Sequence, residues 1–131
     1  MNRRFEHAKL QVYKASLEFI TWLEPALQQL LQPISVTNQL NLASMFILPN
    51  IAEGNCKSTS ENRCRYFDNA RGSAMESAAA LDVLVVKGQC SEDQALPGKE
   101  RLASIVSMLV GLIRANSEYR MYEQELDQDR E

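Results

Sequence analysis

Residues 36–56 read VTNQLNLASMFILPNIAEGNC. Leu40, Leu42, Met45, Phe46, Ile47, Leu48, Ile51 and Ala52 fall on nearly every side of a 3.6-residue period, and no period-2 alternation competes with it. A helix this apolar is expected to be covered on most sides. Pro33 precedes it, Pro49 is expected to kink it by removing an amide donor, and Gly54 is a natural terminator.

Upstream, a first helix is expected over about residues 5–31. Val12, Tyr13, Leu17, Ile20, Leu23, Leu27, Leu30 and Leu31 form one stripe, and Gln11, Lys14, Glu18, Thr21, Gln28, Gln29 and Gln32 form the wet face. Phe19, Trp22, Ala15 and Ala26 widen the apolar arc to roughly 220°, where burying one face takes little more than about 100°. Pro25 is a further bend point.

Downstream, Ser58 and Glu61 have capping-box spacing and open a third helix over about residues 59–87, closed near Gly88. Between Ala70 and Ala80 it holds Ala, Gly or Ser at eight of eleven positions, so neighbouring backbones can approach closely. CSEDQALPGKE (residues 90–100) reads as a loop with at most one helical turn. A fourth helix over about 99–126 then carries Leu102, Ile105, Val106, Leu109, Leu112 and Ile113 on one stripe.

Four helices joined by short connections predict an all-α, antiparallel up-down-up-down four-helix bundle as a single domain over residues 1–131. The apolar surface of the first two helices exceeds what four helices bury among themselves. Self-association is the simplest way to cover it, with Phe19, Trp22, Met45, Phe46 and Leu48 as interface candidates. An irregular bundle whose loops cover the excess is the alternative.

The chain has 131 residues, 45% apolar and 24% charged, with five Gly and four Pro, which suits one soluble globular domain and argues against a β-sandwich. Its net charge is −3: residues 1–71 carry eight Lys/Arg against six Asp/Glu, and residues 72–131 six against eleven. The last nine residues, EQELDQDRE, read as a solvated helix end or frayed tail. A pI near 5.3 is unlike that of a dedicated nucleic-acid binder. Three Cys without a recognisable export signal point to reduced thiols and a cytoplasmic location, and no run of apolar residues approaches a membrane span.

Catalytic chemistry finds little foothold. His7 is the single His and reads as a surface residue; Cys56, Cys64 and Cys90 lack metal-ligand spacing. There is no nucleophile elbow and no phosphate-cradling Gly loop. Neither an enzyme, nor a metal, nor a cofactor is expected. What remains is a polar set, Gln39, Asn50 and Glu53 on the second helix with Arg71, Ser73 and Glu76 on the third, read as a network fixing helix register or else as a ligand site. Lys57, Arg63, Arg65 and Arg71 form a basic cluster, read as a solvated helix start or else as a phosphate-binding patch.

Asn50-Ile51-Ala52-Glu53-Gly54, followed by Phe67, Ala70-Arg71-Gly72-Ser73 and Glu76, resembles the signature of the 23S ribosomal RNA intervening-sequence proteins, also called the four-helix-bundle protein family. Leu10-x-Val12-Tyr13-x-Ala15, Thr37-x-Gln39 and Gly111-Leu112-Ile113 extend the resemblance over nearly the whole chain. The resemblance implies an antiparallel four-helix bundle, a ring-like homopentamer and no enzymatic activity. Related bundle proteins are accessory factors of diversity-generating retroelements, whose basic surface binds a reverse transcriptase and nucleic acid. The functional expectation is therefore a non-enzymatic, homo-oligomeric helical scaffold or binding module. The alternative is an accessory factor binding RNA, DNA or a nucleic-acid enzyme through the basic cluster.

Overall fold

A computed structural model describes the backbone of residues 10–129 and the side chains of residues 10–117. It contains helices α1 (Gln11–Gln28), α2 (Ser35–Cys56), α3 (Ser60–Val86) and α4 (Glu92–Asp129), and no strand among the described residues. The packing is cyclic: α1 touches α2 and α4, and α3 touches the same two, with α2 against α3 the most extensive pairing. No described helix is long and apolar enough to cross a membrane. His7 and the expected start of the first helix lie outside the described residues, and so do the side chains of the acidic end.

On α1 the inward line is Val12, Ser16, Phe19 and Leu23, one residue per turn. The Ser16 hydroxyl donates to the Val12 carbonyl at 2.8 Å, so its burial leaves no unpaired donor. This rotates the expected stripe. Leu17 is 44% exposed, and the helix stops before Leu30 and Leu31, the latter 82% exposed. Phe19 is fully buried in the core, which removes it from the interface candidates. The arc was so wide that periodicity alone left its inner edge undefined.

α2 runs without a break through Pro49. Its start is secured where the Ile34 amide donates to the Thr37 hydroxyl at 3.2 Å. Leu40, Ala43, Ser44, Ile47, Ile51 and Gly54 face inward. The far side is not covered within the chain: Leu42, Met45 and Phe46 are 56%, 57% and 55% exposed. Gly54 is no terminator. It lies within the helix where Phe67 of α3 presses on it, and a Cβ there would sit 2.7 Å from the ring.

The N-cap of α3 is Thr59, one residue later than expected, whose hydroxyl accepts from the Asn62 amide at 3.2 Å. Ala70, Ala74, Ser77 and Ala80 are its buried small residues, and the helix ends before Gly88, whose φ of 73° favours glycine. The segment expected to be loop is instead the start of α4. The Ser91 amide donates to Gln94 Oε1 at 2.8 Å, and the Gln94 amide donates to Ser91 Oγ at 3.0 Å, closing a capping box. Pro97 lies inside α4, and buried Gly98 lets the Trp22 ring lie against the helix backbone. Leu102, Ile105 and Leu109 carry the expected stripe into the core.

Gly98→Ala pushes a methyl into the Trp22 ring and is expected to cost about 1–3 kcal/mol. Gly72→Ala, on an exposed helical position with nothing near the new Cβ, is expected to add roughly 0.5–1 kcal/mol. Thermal unfolding of the two variants should therefore shift in opposite directions; a Gly98→Ala protein as stable as the parent contradicts the packing of α1 on α4.

Candidate functional site

The corner where α2 hands over to α3 is built around Arg63. Its Nε donates to Asn116 Oδ1 of α4 at 3.0 Å, and its Nη1 donates to the carbonyls of Asn55 at 3.0 Å and Lys57 at 3.3 Å. These carbonyls end α2, where no helical amide remains to satisfy them. Asn116 is itself oriented by its amide donating to the Leu112 carbonyl at 2.7 Å. The guanidinium also lies 5.8 Å from the Phe67 ring, the same ring that presses on Gly54. One side chain thus ties α2, α3 and α4 together.

The other basic residues do not form a free patch. Lys57 Nζ pairs with Glu53 Oε2 at 3.2 Å and lies 5.0 Å from the Tyr66 ring centre. The Glu53 hydrogen bond raises the Lys57 pKa above the usual lysine value, with Tyr66 adding in the same direction. Arg65 stands 5.2 Å from the Tyr66 ring centre, and Arg71 Nη2 pairs with Asp68 Oδ1 at 2.6 Å. Such exposed pairs contribute little to stability, because solvent screens them.

The expected polar network does not assemble. Glu53 is exposed and bound to Lys57 on its own helix; the Asn50 amide donates to the Phe46 carbonyl at 2.8 Å. The Ser73 carbonyl accepts from the Ser77 hydroxyl at 2.8 Å. Arg71 is held by Asp68 and stays on α3. Only Gln39 and Glu76 meet, on the two sides of an open groove. Asn50, Glu53 and Arg71 each find a partner on their own helix about one turn away, which leaves no charge between α2 and α3 to organise a network.

That groove is predominantly apolar. Val36, Leu42 and Phe46 of α2 face Ala79 and Val83 of α3 around a hollow of about 450 Å³. Met45 on α2 and Met75 on α3 are also more than half exposed. Leu48 is half-buried, and Trp22 is half-buried against Gly98 and stacked on Phe19 at 5.9 Å. Of the five interface candidates, Phe46 lines the open α2–α3 groove, and Met45 is exposed on α2 outside that lining. Leu42 and Val83 belong with Phe46 and were missed, because an all-round apolar helix gives no sign of which side stays open.

On the opposite, α1–α4 side, Leu17 and Trp22 line a second shallow hollow with Thr21, Glu18 and Arg101. Arg101 Nη1 lies 3.5 Å from Glu18 Oε2 across it. The three cysteines are unpaired: Cys56 exposed, Cys64 buried and Cys90 half-buried, where burial pushes the Cys90 thiol pKa up. No group of three or more His, Cys, Asp or Glu residues converges among the described residues.

A family model of the 23S rRNA-intervening sequence proteins matches residues 8–111. Among solved structures, the chain is similar to a protein with unknown function from the S23 ribosomal protein family of Bacteroides thetaiotaomicron. The TM-score is 0.72 at 18% sequence identity, over 79% of this chain and 95% of the other. At that identity the likeness carries the fold alone. No curated protein matches.

Arg63→Lys keeps the charge and loses the fork that reaches α2 and α4 together, and is expected to cost roughly 1–3 kcal/mol. Arg65→Ala removes one exposed ring contact and should cost less than about 1 kcal/mol. Denaturant melts that rank the two variants the other way contradict the clamp.

Proposed function

The chain belongs to the 23S rRNA-intervening sequence protein family, and from that premise we propose that it is a non-enzymatic helical scaffold or binding module that assembles with copies of itself in the cytoplasm. The observation that carries this reading is the open α2–α3 groove, where Leu42 and Phe46 are each more than half exposed beside Ala79 and Val83. A surface of that kind is stable in water when a partner covers it. Three unpaired thiols accord with a reducing compartment.

The helices run antiparallel in the proposed bundle. Asp82 pairing with Lys99, and Cys64 lying 3.6 Å from the Ile113 carbonyl, support opposite directions for α3 and α4. In a ring every copy contributes two different surfaces, because head-to-tail contacts are heterologous. The groove is one of these. The flank of α1 carrying Leu17 lies on the opposite side of the fold and is the other. A homopentamer, which the family resemblance implies, closes such a ring.

A nucleic-acid reading through the α2–α3 corner draws less from the geometry. Arg63 is spent on the clamp, and Lys57 and Arg71 are paired with carboxylates.

The ring reading is tested by two one-sided variants. Phe46→Glu spoils the groove and Leu17→Glu spoils the flank, so each alone is expected to run as a monomer on size exclusion. Mixed in equal amounts, they retain one intact groove and one intact flank, and a dimer should appear. Variants that keep the parent's mass, or a mixture that stays monomeric, overturn the heterologous ring.

A further inference from the structure

A further hollow, about 300 Å³ and partly open to solvent, lies at the end of the fold where α1 finishes. Trp22 and Leu27 of α1, Leu30 just beyond it, Leu81 and Leu84 of α3, and Cys90 in the following connection form its walls. The space exists because Ala26 and Ala95 stand where longer side chains would fill it. Its end is tied shut by Gln89: the Leu31 amide donates to the Gln89 carbonyl at 3.4 Å, and the Gln32 amide donates to Gln89 Oε1 at 2.8 Å. The connection after α1 is thus held across the connection after α3.

The lining contains no charged side chain. Its polar members are the Gln29 and Gln94 amides and the Cys90 thiol, and Gln94 already gives its oxygen to the Ser91 amide. An ion entering such walls would shed part of its hydration with no opposite charge to offset the loss, so the occupant is neutral and mostly apolar. Known ligand pockets span roughly 300–1,000 Å³, which limits this one to a molecule of one or two rings or a short aliphatic chain.

We propose that this hollow is a binding site for a small, neutral, apolar molecule, independent of the groove that mediates assembly. Trp22 is the single tryptophan of the chain and forms one wall, so it reports occupancy directly. Bromobenzene is a suitable probe, because its heavy atom quenches indole fluorescence at contact.

The parent protein should show saturable quenching with half-saturation below about 1 mM, an affinity well within the reach of a ligand this small. 4-Bromobenzenesulfonate, of similar size but charged, should give linear, collisional quenching alone. Ala26→Phe and Cys90→Leu fill the hollow from opposite walls, and each should weaken half-saturation at least tenfold while circular dichroism shows parent-like helix content. Phe46→Glu, which lies in the α2–α3 groove and outside the lining of the hollow, should still bind saturably. Should one filling variant fail to fold, the other decides. Linear quenching by bromobenzene in the parent overturns the site. So does a folded filling variant that binds like the parent, or loss of binding in Phe46→Glu.

Discussion

The middle of α3's inward line is made of Ala70, Ala74, Ser77 and Ala80, and the arrangement of the other helices follows from how close that line lets them come. Over this stretch α3 adds little apolar volume of its own. The core there is filled by Phe19 of α1, Leu40, Ile47 and Ile51 of α2, and Leu102, Ile105 and Leu109 of α4, while α3 adds Phe67 before the stretch and Leu81 and Leu84 after it. At such close packing, added methylenes cost more than they contribute. The same closeness has a consequence on the surface. With α2 drawn tight against α3, its Leu42 and Phe46 sit beside Ala79 and Val83 rather than beneath a covering helix. The open groove is the outer side of the close inner contact.

Specific residues then hold this geometry. Phe67 uses the missing side chain of Gly54 to enter between α2 and α3, and Arg63 closes the corner above it by satisfying the last carbonyls of α2. At the other end Trp22 uses Gly98 in the same way, and Gln89 crosses to the connection after α1. The two ends differ in kind. The Arg63 end is polar and closed by charge-assisted bonds, whereas the Trp22 end is apolar and retains a partly open hollow. Function is therefore assigned to the open side and the apolar end, and stability to the polar corner.

Much of the architecture is legible in the sequence. The period of Leu102, Ile105 and Leu109 names α4's inner face, the small residues of 70–80 announce close neighbours, and Gly88 marks the stop of α3. The misreadings share a physical cause, which is that pattern gives a face but not its exact azimuth or its neighbour. Phe19 and Leu17 lie on one wide apolar arc, and only the position of the other helices decides that Phe19 goes in and Leu17 out. Gly54 and Pro97-Gly98 look like breaks when read locally, yet both glycines are helical positions thinned for an aromatic ring from another helix. The polar set failed for a related reason: treating α2 as buried all round made Glu53 a buried carboxylate, whereas it is exposed beside Lys57. Ser91 and Gln94 carried a readable capping box, obscured by the proline that follows.

The central claim is that copies of this chain cover the α2–α3 face of one another. Light scattering coupled to size exclusion, over a dilution series of the parent protein, tests it most directly. The account predicts a stable species of about 74 kDa, five times the 14.8 kDa chain, that persists on dilution. A species of 14.8 kDa at every concentration contradicts it.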